Sequence, residues 1–117
     1  MAYVDGFIVP VPKANIEAYR EMAHKAGKIW MEHGALSFVE CVADDVPYGE
    51  LTSFPRAVQV KEDETVFFSW ITYASREERD RINALVMADE RLMAEMQNMP
   101  MDGKRIIFGG FKPVVEL

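Results

Sequence analysis

The sequence predicts an α+β domain in which helices cover one face of an antiparallel sheet. Three observations support this fold class: apolar strand patterns at both ends of the chain, a long amphipathic helix after the first strand, and a second helical stretch before the last strand. With two further strands between the helices, the order β-α-β-β-α-β is the ferredoxin-like arrangement. A length of 117 residues is usual for one domain, so residues 1–117 are expected to form a single ferredoxin-like domain.

The first strand, residues 3–11, and the third, residues 66–73, carry few polar side chains on either face. Helices can cover only one of these faces, and a two-layer monomer would leave the other in water. We therefore expect the chain to associate with itself, as a homodimer in which the sheets of two copies pack together.

Composition and charge narrow the classes of partner. A formal net charge of −6 disfavours nonspecific binding to nucleic acid or to anionic membranes, because phosphate groups repel an acidic surface. No apolar run approaches the roughly 18 residues that a membrane helix needs.

Cys41 is the single cysteine, and no signal-peptide pattern opens the chain. We therefore expect a cytoplasmic protein without disulfides.

The first helix is predicted over residues 16–33, because apolar side chains recur on one side of it and charged ones on the other. Gly34 follows in the usual position of a left-handed C-terminal cap. The second strand is expected at residues 36–43.

Residues 44–64 form an unusually long connection. One interpretation is structural: the segment extends the sheet edge, as an extra hairpin that includes residues 57–60, or contributes to the dimer contact. The other is functional: the segment forms a lid or pocket wall that carries Tyr48, Phe54 and Arg56.

The second helical stretch begins at Ser75, which forms a capping-box pattern with Glu78. An unbroken helix would place Asp89 within the apolar stripe, so we expect a break there, with Asp89 capping a further helix. Arg76, Arg79 and Arg81 alternate with acidic residues and indicate a solvated helix face. The closing strand is predicted at residues 105–111, where Gly109 and Gly110 suggest a bulge or a close backbone approach.

Several stretches resemble a known family. They are YVDGF at residues 3–7, ELTSFPR at 50–56, FSW at 68–70, VMAD at 86–89 and MDGKRIIFGGF at 101–111. The chain resembles, over essentially its full length, the small bacterial proteins typified by YbaA, which are placed among the dimeric α/β barrels. The resemblance implies a ferredoxin-like homodimer whose two sheets face each other, and it implies no particular activity.

More distant barrel relatives include cofactor-free monooxygenases, small-molecule isomerases and haem-degrading enzymes. Haem-degrading members place a His on the helix that follows a strand Trp. Trp70 matches that Trp, but the helical stretch from residue 75 to residue 96 contains no histidine. Haem degradation is therefore disfavoured.

His33 and Glu40 are the candidate catalytic residues. His33 lies on the apolar side of the first helix, in its last turn. Its imidazole is either a cap for free backbone carbonyls or an acid/base group between helix and sheet. Glu40 is a charge within a strand, on the same face as Phe38. It is either paired with an arginine or a tyrosine hydroxyl, or it is a pocket carboxylate with a raised pKa.

Tyr48, Arg56 and Trp70 are the candidate substrate-binding residues, with the structural alternative that Trp70 is a core aromatic. The two histidines and one cysteine do not have the spacing of a zinc site. Gly109 and Gly110 match no nucleotide-binding loop. We therefore expect neither a metal nor a cofactor.

Two functional hypotheses remain. The first is a homodimer that binds a small molecule in a pocket between helices and sheet, as a candidate cofactor-independent enzyme. The alternative is a non-enzymatic protein-interaction module that uses residues 44–64 and the exposed sheet face.

Overall fold

A single antiparallel sheet of four strands organises the chain. The computed structural model describes residues 2–117. The strands are β1 (Tyr3–Pro12), β2 (Ser37–Val42), β3 (Glu64–Tyr73) and β4 (Ile107–Phe111). Their order across the sheet is β2-β3-β1-β4, so β1 and β3 are central while β2 and β4 are edges. The predicted ferredoxin-like α+β fold is confirmed.

Three helices cover one face of this sheet: α1 (Ile16–Glu32), α3 (Arg76–Met87) and α4 (Glu90–Met96). The short helix α2 (Phe54–Ala57) lies in the long connection, and single 3-10 turns occur at Lys13–Asn15 and Gly103–Arg105. Among residues 2–117, no helix combines the length and the apolar character needed to cross a membrane.

The core lies between the sheet and the three helices, in two clusters. Ile71 and Tyr73 of β3 pack with Ile82 and Val86 of α3 and with Leu92 of α4. The second cluster joins β1 and β3 to α1 and consists of Val9, Val11, Tyr19, Ala23 and Phe67. Alternate strand residues therefore face the helices, as the two-residue period of a strand requires.

The break between α3 and α4 occurs at the residue predicted from the sequence. Asp89 precedes α4, and its carboxylate accepts a hydrogen bond from the backbone N–H of Arg91 at 3.0 Å. At the other end of α3, the Ser75 hydroxyl accepts from the backbone N–H of Glu78 at 3.1 Å. Gly34 follows α1 with φ of +117°. All three caps are confirmed.

One local prediction is wrong, and another holds in only one of its two alternatives. Residues 57–60 do not form a hairpin strand, because Ser53 caps α2 and Pro55 occupies its first turn, both of which favour a helical turn. Gly109 and Gly110 do not form a bulge, since β4 pairs without interruption from Val4↔Phe111 to Ile8↔Ile107. The close-approach alternative holds for Gly110, where a Cβ would collide with the side chains of Arg79 and Tyr3.

Arg79 also differs from its prediction, because it does not belong to a fully solvated helix face. Its Nη2 lies 3.0 Å from Oδ1 of the buried Asp5. The Tyr73 hydroxyl donates to Asp5 Oδ2 at 2.9 Å. A buried charge has to be paired to be tolerated. The buried carboxylate of Asp5 on β1 therefore depends on Arg79 of α3.

Candidate functional site

A groove of about 700 Å³ lies between α1 and the edge strand β2. We refer to it as the α1–β2 groove. Its apolar walls include Ile16 and Ala23 of α1, Phe38 and Val42 of β2, and Phe67 of β3. Because β2 is an edge strand, the groove is open on the side where a further strand would otherwise lie.

Tyr19 and Glu40 form the polar centre of the groove. Tyr19 is buried on α1, with its ring 4.6 Å from that of Phe67. Its hydroxyl donates a hydrogen bond to Glu40 Oε1 at 2.9 Å. Glu40 is half-buried and stands opposite Ser69 of β3 on the helix-covered side of the sheet. The predicted tyrosine partner of Glu40 is therefore present.

The environment of this pair shifts both of its pKa values. Burial raises the pKa of the Glu40 carboxyl from 4.5 to about 7, although hydrogen bonds from Tyr19 and Ser69 oppose the shift. Burial also raises the pKa of Tyr19, and the adjacent Glu40 charge adds to the effect. Near neutral pH the carboxyl therefore exchanges its proton readily while the phenol retains its own.

One rim of the groove carries basic side chains. Arg20, His24 and Lys28 follow one another at four-residue intervals along α1 and all line the groove. At its far end lies Glu32, whose carboxylate is 2.7 Å from Arg91 Nη2. The pKa of Glu32 is lowered chiefly by this hydrogen bond.

His33 does not line the groove. It is the C-cap residue of α1, and its Nε2 lies 3.0 Å from Oδ2 of Asp89. Hydrogen bonds from Arg91 and then from His33 hold the pKa of Asp89 well below its usual range. The imidazole therefore connects α1 to the start of α4, at a place separate from Glu40.

Tyr48 and Arg56 lie together, but within the long connection rather than in the groove. The Arg56 guanidinium donates to the carbonyl oxygens of Tyr48 and Gly49 at distances of 2.8–3.1 Å. It also lies 4.1 Å from the centre of the Tyr48 ring. These contacts stabilise the path of the connection.

Trp70 lies on the sheet face opposite the three helices. It pairs with Val39 and Gly6 on the neighbouring strands, and its ring lies 5.7 Å from that of Phe68. Phe54 of α2 contacts the same Phe68 edge-on at 5.7 Å. Trp70 and Glu40 are therefore on opposite sides of the sheet, and the five residues proposed from the sequence do not form one site.

Two parts of the groove were not predicted from the sequence. They are Tyr19 and the basic row, which consists of Arg20, His24 and Lys28. Tyr19 belongs to the apolar side of the helix predicted over residues 16–33, and His24 belongs to its charged side. The available signal was the spacing of Arg20, His24 and Lys28 beside that apolar side, since residues four apart share a helix face. Among residues 2–117, no three His, Cys, Asp or Glu side chains are grouped as a metal site requires.

Comparison with known proteins gives a family and a fold. The family model described as "Protein of unknown function (DUF1428)" matches residues 2–103. "Uncharacterized protein YbaA" of Escherichia coli (strain K12) is 51% identical over 116 residues, which cover 99% of each chain. The protein of the same description from Shigella flexneri gives the same values.

Solved structures with this fold are much less similar in sequence. A NIPSNAP family protein from Agrobacterium tumefaciens has a TM-score of 0.63 at 14% identity, covering 97% of this chain and 94% of that one. A dimeric ferredoxin-like protein from an uncultured marine organism has a TM-score of 0.61 at 10% identity, with all of both chains covered. At identities this low, the similarity shows a shared fold and does not indicate a function.

Proposed function

The chain belongs to the DUF1428 family, and we propose that it binds a small organic molecule in the α1–β2 groove. Glu40 and Tyr19 hydrogen-bond to this molecule, and Glu40 exchanges a proton with it. The protein acts as a homodimer. The observation that carries this proposal is a half-buried carboxyl that shares a hydrogen bond with a phenol inside an apolar groove.

The volume and the lining of the groove support this proposal. Pockets for small molecules typically enclose about 300–1,000 Å³ and combine apolar walls with a few polar groups. The α1–β2 groove has this character, with Tyr19 and Glu40 between Phe38 and Phe67.

Proton transfer is the reaction class that this pair supports. A general base works best when its pKa is near the operating pH, and the pKa of Glu40 is about 7. Ionised Glu40 would accept a proton from an acidic O–H or C–H of the bound molecule. The resulting carboxylic acid would return the proton to another atom of that molecule, so no oxidant or cofactor is consumed. Tyr19 would hold the carboxyl in position.

Self-association is proposed through the open face, which we define as the sheet face opposite α1, α3 and α4. It presents Phe68, which is 45% exposed, and Phe111, which is 63% exposed, beside Trp70. Removal of such aromatic surface from water is favourable, and a second copy of the chain would bring the same apolar surface to the contact. A structural neighbour with this fold is described as dimeric, which supports self-association.

The second candidate function is the non-enzymatic interaction module. Phe54 on α2 is 47% exposed and lies against Phe68 on the open face. Residues 44–64 and this face would then contact a different protein, and the groove would have no ligand.

A thermal-shift screen of small acids, phenols and aldehydes tests the proposal. We expect some compounds to raise the melting temperature of the wild type, and Glu40→Gln and Tyr19→Phe to reduce that rise. Glu21→Gln, an exposed change on the same helix, should preserve it. His33→Ala should lower the stability but keep the ligand-induced rise, because His33 lies outside the groove. If no compound in a broad library shifts the wild type, the interaction module becomes the better account.

A further inference from the structure

The α1–β2 groove is asymmetric in charge, although the chain as a whole is acidic. Arg20, His24 and Lys28 line its helical side, while the formal net charge is −6. Glu32, the one acidic residue at the end of the row, is paired with Arg91. Arg20 Nη1 contacts Glu17 at 2.9 Å, but both side chains are exposed, and exposed pairs of this kind are weak. The rim therefore favours an anionic group.

Apart from Glu40, the opposite side of the groove is apolar and partly aromatic. Phe38 and Val42 of β2 and Phe67 of β3 form this wall. The Phe38 ring is held by Trp30, with ring centres 5.9 Å apart. Such a wall offers a large contact area to a flat, apolar body that lies along the groove, because aromatic faces are extensive.

The separation of the polar groups sets the length of the ligand. An α-helix rises about 1.5 Å per residue, so His24 and Lys28 lie about 7.5 Å and about 13.5 Å along the axis from Tyr19. A molecule that contacts Tyr19 and Glu40 at one end therefore reaches the basic row with its other end if it is one ring and a short side chain long.

We propose that the ligand of this groove is a small aromatic acid with a hydroxyl group. Its carboxylate binds His24 and Lys28, its ring packs against Phe38 and Phe67, and its hydroxyl hydrogen-bonds to Glu40 and Tyr19. This inference rests on the proposed function, since it names the class of molecule that the same groove binds.

Calorimetric titration with three matched probes tests the inference. The first is 3-(4-hydroxyphenyl)propanoate, which has all three features. The second is its carboxamide, which has the same shape without the charge, and the third is 3-phenylpropanoate, which lacks the hydroxyl. We expect the hydroxy acid to bind at least about tenfold more tightly than either of the others. Its affinity should also fall as salt is added, because salt screens exposed charges.

Charge variants on α1 provide the matched control. The double variant His24→Gln/Lys28→Gln should weaken binding of the hydroxy acid by about tenfold or more and remove most of its salt dependence. Lys25→Gln makes the same kind of change at an exposed position outside the groove and should leave the affinity unchanged. Circular dichroism of each variant shows whether it is folded.

The outcomes separate this inference from the proposed function. If the carboxamide binds as tightly as the acid, in a manner that depends on Glu40, the groove is a ligand site but the anionic class is wrong. If the acid binds equally well to the His24→Gln/Lys28→Gln variant, the assignment of its carboxylate to these side chains is wrong. If none of the probes binds and the wider screen finds no ligand either, both proposals fail.

Discussion

Glu40 combines a charge, a half-buried position and a single phenolic donor. The ionised carboxylate loses part of its hydration in the groove, and the hydrogen bond from Tyr19 at 2.9 Å compensates for only part of that loss. The result is a carboxyl group whose protonated form is favoured by the fold, which has a measurable consequence for stability.

We predict that the free energy of unfolding of the wild type, compared with that of Glu40→Gln, falls as the pH rises from about 4.5 to about 7. In this range the folded protein holds a proton on Glu40 that the unfolded chain has released, because the pKa is raised from 4.5 to about 7. At 1.36 kcal/mol per pKa unit, the difference reaches at most about 3 kcal/mol. Urea unfolding at a series of pH values measures it.

Subtracting the pH profile of Glu40→Gln from that of the wild type removes the contributions of the other titrating groups in the groove. Arg20, His24 and Lys28 are present in both proteins, as are Tyr19 and Ser69 beside residue 40. Glu21→Gln serves as an exposed control and should give a profile parallel to that of the wild type. Parallel profiles for the wild type and Glu40→Gln would show that the carboxyl has an ordinary pKa.

At the scale of elements, side-chain ion pairs connect helices and turns to the sheet. Arg79 of α3 pairs with Asp5 of β1 at 3.0 Å. Arg105, in the turn before β4, pairs with Glu64 of β3 at 2.6 Å. Loss of one member would leave a buried charge without its partner, which is strongly destabilising. These pairs specify how the elements dock more than they add net stability.

The approach of α1 to β2 depends on a glycine. A Cβ at Gly27 would lie 2.6 Å from Cδ1 of Phe38, so the helix and the edge strand could not keep their present separation. Gly27→Ala is therefore predicted to destabilise the protein by about 1 kcal/mol. The expected gain in helix propensity is about 1 kcal/mol, and overpacking costs about 1–3 kcal/mol.

Urea unfolding of Gly27→Ala measures this effect, and Gly27→Ala/Phe38→Leu provides the control. Removing part of the ring should relieve the clash, so we expect the double variant to recover some of the stability lost in the single one. A stabilised Gly27→Ala protein would show that Phe38 moves aside freely and that the groove is less rigid than its packing indicates.

At the scale of the whole molecule, the two faces of the sheet differ in their covering. Helices α1, α3 and α4 bury one face, while the open face presents Phe68, Trp70 and Phe111. An exposed aromatic surface of this kind is typical of an interface, and the homodimer proposal rests on it.

We predict that Phe68→Glu converts the dimer to a monomer at micromolar concentration. Two copies of the change would place carboxylates in an apolar interface, where unpaired charges are costly. Leu85→Glu is the matched control, because Leu85 is 43% exposed against 45% for Phe68 but lies on α3, in the helical layer. Sedimentation velocity measures both. A stable wild-type monomer would contradict the proposal, and a monomer produced by Leu85→Glu alone would place the interface on the helices.

The order of elements, the helix caps and the break at Asp89 were predictable from the sequence because local patterns encode them. Strand and helix periodicity, a capping serine or aspartate and a glycine after a helix all act within a few residues. The same locality allowed Glu40 to be recognised as a charge that needs a partner. The short helix at residues 54–57 is encoded locally as well, because Ser53 caps it and Pro55 lies in its first turn.

Only the tertiary structure decided which distant residues meet. It paired Glu40 with Tyr19 across 21 positions, Asp5 with Arg79 across 74 and His33 with Asp89 across 56. It also placed Trp70 on the opposite side of the sheet from Glu40, and His33 outside the groove. Such pairings follow from strand order and from how helices pack on the sheet. The periodic patterns in the sequence do not reveal them. The sequence alone therefore determined the elements and their faces, while the site depended on which faces came together.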